Sequence, residues 1–108
     1  MPVELPPGLV DMSEQSRAML SRSITALADD NAGLARQVRR NDARVDDLQK
    51  EIFAWVQKEI PRHVEATGAA IDVLAIARKL ERIADLATNI AEEVIFHAEG
   101  TVVRHAEV

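Results

Sequence analysis

The sequence contains no cysteine and no tyrosine, and Phe53, Trp55 and Phe96 are its only aromatic residues. The absence of cysteine excludes disulfides and thiolate metal ligands. Hydrophobic residues nevertheless make up 47% of the 108 residues, so the core must be built from aliphatic side chains. This composition suits closely packed helices in one domain, for which the length is sufficient.

Long apolar runs and basic clusters are also missing. No segment reaches the roughly 18 apolar residues of a membrane span, and the start MPVELPPGL lacks the basic and apolar regions of a secretory signal. The formal net charge is −5, whereas a nucleic-acid groove requires clustered lysine, arginine and aromatic side chains. We therefore predict a cytoplasmic chain that neither spans a membrane nor binds nucleic acid.

The first predicted helix follows an irregular segment over residues 1–8, which holds three of the four prolines. It is predicted to run from Leu9 to about Arg40. A bend or break is expected near Asp30, because the nearby Gly33 costs about 1 kcal/mol in a helix interior. Apolar residues recur along this stretch with helical spacing and form its predicted core face: Leu20, Ile24, Leu27, Leu34 and Val38.

The second helix is predicted to begin within the stretch 39–52, with Asn41 or Asp42 as its N-cap. It should end near Ile60, because Pro61 displaces the preceding residue from the helical conformation. Its apolar positions again have helical spacing: Val45, Leu48, Ile52 and Trp55.

The third helix is predicted over residues 62–99, with Gly100 as its C-terminal stop and a frayed tail over residues 101–108. Its predicted core face consists of Ile76, Leu80, Ile83, Ala87, Ile90 and Val94.

Short links join these helices, so we predict an all-α antiparallel three-helix bundle that forms a single domain over residues 1–108. A fourth helix would arise if the first helix breaks at Asp30.

Acidic side chains form a stripe on the third helix. At about 100° per residue, Glu81, Asp85 and Glu92 fall on a face turned away from the predicted core. Asp42 and Asp46 have the same spacing on the second helix. A tight antiparallel turn at Pro61 would place position 42 level with position 81 or 82, so the two pairs could lie at one height.

This pattern allows two interpretations. Glu81 with Arg78, and Asp85 with Arg82, could form the i,i+3 ion pairs of an ordinary solvated face. Alternatively, the carboxylates could bind a cation, and oxygen ligands suit Mg²⁺, Mn²⁺, Ca²⁺ or iron.

Several catalytic motifs are missing from the sequence. No histidine has a Glu or Asp three residues before it, as a ferritin-like di-iron site requires. No glycine-rich phosphate loop or nucleophile elbow is present, and no grouping of Ser, His and Asp indicates a triad.

The segment ARKLERIADLATNIAEEVIFHAEG resembles the signature helix of the PhoU family of phosphate-signalling proteins, whose usual form reads close to R-x-L-E-R-I-G-D-H-A-T-N-I-A-E. NDARVDDLQKEIF resembles the second acidic segment of that family, and LPPGLVDMSEQSRAML is similar to its first helix. A typical member carries two three-helix units in one chain. This chain carries a single unit, similar to the second.

The resemblance implies that E/D-x-x-x-D pairs on the bundle surface hold multinuclear clusters of iron, zinc or manganese. Two residues depart from the signature: Ala84 replaces the usual glycine, and Leu86 replaces the usual histidine. The metal ligands implied by the resemblance are Glu81, Asp85, Asp42 and Asp46, with Asn89 and Glu92 as additional candidates.

The resemblance also implies a regulatory module without catalytic activity that contacts a phosphate transporter or a sensor kinase at the inner face of the membrane. The alternatives are a carboxylate-bridged multinuclear metal enzyme and a metal-free helical assembly module. Met12, Met19 and Leu20 lie around more than one face of the first helix, and Leu86 lies opposite the core face of the third. A homodimer would bury such residues.

Overall fold

The computed structural model describes the backbone of residues 5–106 and the side chains of residues 5–100. These residues form three α-helices: α1 (Leu9–Asp29), α2 (Ala32–Arg62) and α3 (Thr67–Ala106). A short 3₁₀ helix, Val64–Ala66, links α2 to α3. All three helices pack against one another in a rod of 67 × 19 × 16 Å, so the predicted antiparallel three-helix bundle is confirmed.

The chain reverses between α1 and α2 at Asp30 and Asn31. Asp30 adopts a left-handed conformation with φ 52° and closes α1. The Asn31 side chain then caps α2 by accepting a hydrogen bond from the Leu34 N–H at 3.0 Å. The expected break near Asp30 is therefore confirmed, whereas the predicted extension of the first helix to about Arg40 is wrong. The break gives no fourth α-helix within the described residues, because residues 32–40 form the start of α2. The predicted turn within residues 39–52 and the predicted N-cap at Asn41 or Asp42 are wrong, since this stretch lies inside α2.

Two other helix ends differ from the prediction. Pro61 lies within the last turn of α2, which continues to Arg62. A proline there removes only one backbone hydrogen bond, so the helix extends past it. α3 continues through Gly100 to Ala106, so the predicted stop at Gly100 is wrong and residues 101–106 are helical. Residues 107 and 108 of the predicted frayed tail lie outside the described residues.

The core face of α1 differs from the predicted one because it includes small polar residues. Ile24 and Leu27 were predicted to be buried but are 53% and 60% exposed. The apolar pattern alone missed the true face, because a serine interrupts it twice. The fully or largely buried residues of α1 are Leu9, Met12, Ser16, Met19, Ser23 and Ala26.

The core face of α3 is centred on Ala77, Ala84 and Ala91, which are fully buried. The predicted face was centred on Ile76, which is 46% exposed. At about 100° per residue, these alanines lie on average about 80° from Ile76, so the centre of the true face is rotated by about that angle. The two faces overlap, because Ala87 and Val94 were predicted to be buried and are buried. Alanines let the helix axes approach closely, and the longer isoleucines lie at the margin of the contact. The rotation brings the acidic stripe toward α2.

Candidate functional site

Four carboxylates lie along the margin between α2 and α3. α2 supplies Asp42 and Asp46, and α3 supplies Glu81 and Asp85. Asp42, Asp46 and Glu81 are half-buried, whereas Asp85 is exposed. The prediction that the α3 acids face away from the core is therefore wrong for Glu81, because the rotated core face places it beside α2. We call these four residues the carboxylate patch.

Two side-chain contacts set the register of α2 against α3. The Gln49 amide donates a hydrogen bond to the Glu81 carboxylate, and the Thr88 hydroxyl faces the Asp42 carboxylate as a hydrogen-bonding partner. In each pair the two residues are equally far in sequence from residue 65. Residue 65 therefore marks the middle of the turn between α2 and α3, and it fixes which positions of the two helices face each other. The prediction that position 42 lies level with position 81 or 82 is therefore wrong, since position 42 lies level with position 88. The difference arises because α2 extends beyond Pro61 and the 3₁₀ helix follows it.

This register places Asp85 opposite position 45 of α2, between Asp42 and Asp46. The four acids are therefore staggered along the bundle axis, two on each helix. The two acidic pairs lie on neighbouring helices, as predicted, but their positions along the bundle axis differ from the predicted ones. Gln49 and Thr88 were not predicted as members of the site. The spacing of Gln49, seven residues after Asp42 and three after Asp46, puts it on the same helix face and could have indicated it.

The carboxylate patch alters the acid–base behaviour of Asp42. Its pKa is raised, first because burial disfavours the charged carboxylate and then because Asp46, Asp85 and Glu81 carry charge of the same sign. The Thr88 hydroxyl acts in the opposite direction and lowers the pKa. That hydroxyl donates a hydrogen bond to the Ala84 carbonyl oxygen at 3.0 Å, which fixes its position beside Asp42. The charges of Asp46, Asp85 and Glu81 thus all act on Asp42, which lies among them.

The ion pairs of the solvated-face interpretation do not form among the described side chains, although Asp85 is exposed to solvent as that interpretation expects. The ion pairs within residues 5–100 join Asp11 to Arg44, Arg36 to Glu99 and His63 to two nearby glutamates. None of them compensates Glu81 or Asp85. Arg78 and Arg82 are exposed, and neither forms the i,i+3 pair that the sequence allowed. The negative charge of the patch is therefore left without a basic partner among the described side chains.

The donor atoms of the patch are suited to a hard or borderline cation, because they are carboxylate oxygens. A cation would also relieve the repulsion that raises the pKa of Asp42. However, no group of three or more acidic or histidine side chains converges to hold an ion within the described residues. The patch thus matches a cation in charge and chemistry but not in the present arrangement of its side chains. Gln49 contacts only one oxygen of Glu81, so the other carboxylate oxygen could still serve as a ligand.

The remaining signature positions surround this patch. Asn89 and Glu92 are exposed, and no described contact links them to the four carboxylates. Ala84 is fully buried, and Leu86 is 51% exposed. The methyl of Ala84 therefore lies at the helix contact, where a glycine would allow a closer approach, and Leu86 presents an apolar side chain to solvent.

Comparison with protein families decides the relationship of this fold to known proteins. The model of the PhoU domain matches residues 9–94, a region that includes α1, α2 and most of α3 and contains the whole carboxylate patch. The chain belongs to the PhoU domain family. The resemblance read from the signature helix is thereby confirmed.

Curated relatives carry the same family name. The chain is 38% identical to the phosphate-specific transport system accessory protein PhoU homolog 1 of Methanothermobacter thermautotrophicus, over 82% of this chain and 40% of that protein. It is 33% identical to the PhoU homolog of Pseudomonas aeruginosa, over 94% of this chain and 43% of that protein. The PhoU homolog of Xylella fastidiosa strain 9a5c is 32% identical, over 82% and 38% respectively. The chain thus spans about two-fifths of the length of these relatives.

No solved structure gives a significant match to this chain. Among the described residues, no helix combines the length and the apolar character that crossing a bilayer requires.

Proposed function

We propose that this chain is a non-enzymatic accessory protein of phosphate transport that acts through protein contacts. The observation that carries the proposal is the PhoU domain match over residues 9–94. Relatives that share this region are named phosphate-specific transport system accessory proteins. The named relatives are more than twice as long, so the role of the single three-helix unit is itself part of the proposal.

The proposed partner is the phosphate transporter, or a sensor kinase associated with it, at the cytoplasmic face of the membrane. The carboxylate patch is the surface best suited to such a contact. Its charges lack basic partners within the described part of the bundle, and a basic surface would relieve the repulsion around Asp42. Charge complementarity between an acidic and a basic surface raises the rate of association and favours the correct partner over others.

The carboxylate patch is also proposed to bind a metal cation such as iron, zinc or manganese. Support comes from its oxygen donors and from the mutual repulsion of the four carboxylates. A bound cation would supply positive charge that holds α2 and α3 together at this margin. The chain's own residues would contribute the carboxylates, while Gln49 and Thr88 orient Glu81 and Asp42.

A binding assay tests the proposed partner. The purified chain is added to membrane vesicles that contain the phosphate transporter of the source cells, and to vesicles from cells that lack this transporter. We expect sedimentation with the first vesicles only. The double substitution Asp42→Asn/Asp46→Asn should weaken this binding, whereas Asp47→Asn on the exposed side of α2 should not. Equal binding to both kinds of vesicle would contradict the proposal.

A separate measurement tests the cation. Calorimetric titration of the metal-free chain with Mn²⁺ or Zn²⁺ should give binding that Glu81→Gln/Asp85→Asn abolishes and Asp72→Asn preserves. No binding by the native chain would exclude the cation while leaving the protein contact intact. Hydrolysis of phosphate esters above background by the metal-loaded chain would contradict the non-enzymatic role.

A further inference from the structure

The side of α3 that faces away from the bundle carries a second row of regularly spaced residues. Each member lies three or four residues after the one before it, so the row follows one stripe along the helix. At about 100° per residue, this stripe is centred about 155° from the buried alanines that face the core. All of its members are exposed. We call this row the outer seam: Ile71, Ala75, Arg78, Arg82, Leu86, Asn89, Glu93 and Phe96.

Three members of the outer seam are large apolar residues that the bundle does not cover. Phe96 is 78% exposed, Ile71 is 58% exposed and Leu86 is 51% exposed. Leu86 replaces the usual histidine of the signature helix, so the apolar character of this position is a feature of this chain. A second surface that removes these side chains from water would lower the free energy.

Basic side chains occupy the middle of the outer seam. Arg78 and Arg82 lie one turn apart, and Lys79 lies beside them; all three are exposed. None of the three takes part in an ion pair among the described side chains, although Glu81 and Asp85 lie on the flank toward α2. Like charges one turn apart on a helix repel each other. Acidic groups placed opposite the two arginines would therefore be favourable.

The spacing of the outer seam indicates the shape of what could cover it. Steps of three and four residues are those by which one helix packs along another. The seam lies on the convex side of a single helix and runs about 38 Å from Ile71 to Phe96 at 1.5 Å per residue. A helix of about 25 residues has the same length. Arginine and aromatic residues are also enriched in protein interfaces.

A second copy of this chain does not suit the outer seam. In a parallel pair of seams, Arg78 and Arg82 of one copy would lie beside the same residues of the other. In an antiparallel pair centred on the seam, the two Arg82 side chains would lie about one turn apart. Both arrangements bring like charges together, which disfavours association.

We propose that the outer seam binds an amphipathic helix of a different protein, which lies along α3 and presents acidic residues to Arg78 and Arg82. Apolar side chains before and after these acids cover the exposed apolar members of the seam. The order of apolar and acidic residues along the partner helix then selects this partner over others. The inference does not rest on the proposed function, because the outer seam favours an acidic partner and the carboxylate patch favours a basic one.

The size of the contact sets the expected affinity. A contact about 38 Å long and about 10 Å wide, the width of one helix, covers about 400 Å² on each partner and about 800 Å² in total. This area is typical of weak and transient protein contacts. We expect a dissociation constant of about 10–100 μM for a single helix.

Two synthetic helical peptides of about 25 residues test the outer seam of the purified chain. The first carries leucine opposite the apolar members of the seam and glutamate opposite Arg78 and Arg82. The second carries lysine in place of the glutamates. In fluorescence anisotropy, the glutamate peptide should bind about tenfold or more tightly than the lysine peptide. Equal binding of the two peptides, or no binding of the glutamate peptide at millimolar concentration, would overturn the proposal.

Charge reversal in the chain provides the matched variants. Arg78→Glu/Arg82→Glu should reverse the preference, so that the lysine peptide binds more tightly. Arg22→Glu/Arg39→Glu changes the net charge equally at exposed positions of α1 and α2 and should keep the preference for the glutamate peptide. All four positions are exposed, so both variants should keep native helix content in circular dichroism. A preference that Arg78→Glu/Arg82→Glu leaves unchanged would overturn the role of the arginines.

Photo-crosslinking in the source cells identifies the occupant. Benzoylphenylalanine replaces Leu86 in the outer seam or, as the control, the exposed Lys50 of α2. Position 86 should crosslink to one other protein, within a segment where apolar residues at helical spacing flank two acids, and Arg78→Glu/Arg82→Glu should remove this product. A product with a second copy, with lipid or with a segment that lacks acids, or no product beyond that from position 50, would overturn the proposal. The transporter-vesicle assay tests the proposed function separately.

Discussion

The substitution Asp42→Asn removes one charge from the centre of the carboxylate patch and should stabilise the protein. Asp42 is half-buried, and its pKa is raised by burial and by the charges of Asp46, Asp85 and Glu81. A like-charge neighbour costs a few tenths of a kcal/mol, so three such neighbours cost about 1 kcal/mol. Asparagine keeps an oxygen acceptor for the Thr88 hydroxyl, so this contact is retained. We expect the free energy of unfolding to rise by about 1 kcal/mol at pH 7.

The pH dependence of this gain follows from the direction of the pKa shift. An acid whose folded-state pKa is raised binds protons more tightly in the folded protein, so its charge lowers stability as pH rises above the unfolded value of 3.8. The penalty is fully present above the raised pKa and disappears below pH 3.8. The gain from Asp42→Asn should therefore shrink as the pH is lowered from 7 toward 4.

Urea denaturation followed by circular dichroism at pH 7, 5 and 4 measures this gain. Asp47→Asn is the matched control, because Asp47 lies on the exposed side of the same helix and its removal changes the net charge equally. If Asp42→Asn stabilises the protein no more than Asp47→Asn at pH 7, or if the gain persists unchanged at pH 4, the four carboxylates do not act together.

Four further substitutions test the packing that positions the patch. Ser16 is fully buried and its hydroxyl has no hydrogen-bond partner, so Ser16→Ala should stabilise the protein by about 1–2 kcal/mol. Ser23→Ala should be close to neutral in the same thermal denaturation, because that hydroxyl already donates to the Leu20 carbonyl oxygen at 2.7 Å. A gain of equal size for both would refute the difference in hydrogen bonding. Asn31→Ala removes the cap of α2 and should cost about 1 kcal/mol in urea denaturation. No loss would show that the cap is dispensable. Ile52→Ala creates a cavity at a fully buried position and should cost about 2–5 kcal/mol in the same assay, whereas a loss below 1 kcal/mol would show that the core collapses around it.

The number of helices and their antiparallel order could be predicted from the sequence because apolar spacing and sparse helix breakers are properties of local segments. The position of the first turn could not. Asn31 and Asn41 are both asparagines near polar stretches, and either can cap a helix. The structure places the cap at Asn31 because Asp30 adopts the left-handed conformation that ends α1.

The spacing of apolar residues also could not predict which face of α3 packs against the core. Alanine is small and weakly hydrophobic, so periodicity favours the isoleucines over Ala77, Ala84 and Ala91. Helix packing favours the alanines, because close approach of the axes increases contact along the whole length. This difference determines whether Glu81 points to solvent or lies beside α2, so the site could not be placed without the packing.

The sequence could predict which carboxylates are neighbours but not how they are arranged, and their role as ligands stays a prediction. Asp42, Asp46, Glu81 and Asp85 were identified as carboxylates on neighbouring helices, and the structure brings them together. The contacts of Gln49 and Thr88 depend on the register of α2 against α3. That register follows from the end of α2 at Arg62 and the 3₁₀ helix after it, which a turn assigned to Pro61 could not give.

The most direct test of the account is the rate of radiolabelled phosphate uptake in the source cells, measured with the gene for this chain intact and deleted. We predict that deletion changes the uptake rate under phosphate-rich conditions, and that the native chain restores it. The Asp42→Asn/Asp46→Asn variant should fail to restore it at equal protein level, while Asp47→Asn succeeds. An uptake rate that is identical with and without the chain, at both high and low phosphate, would contradict a role in phosphate transport.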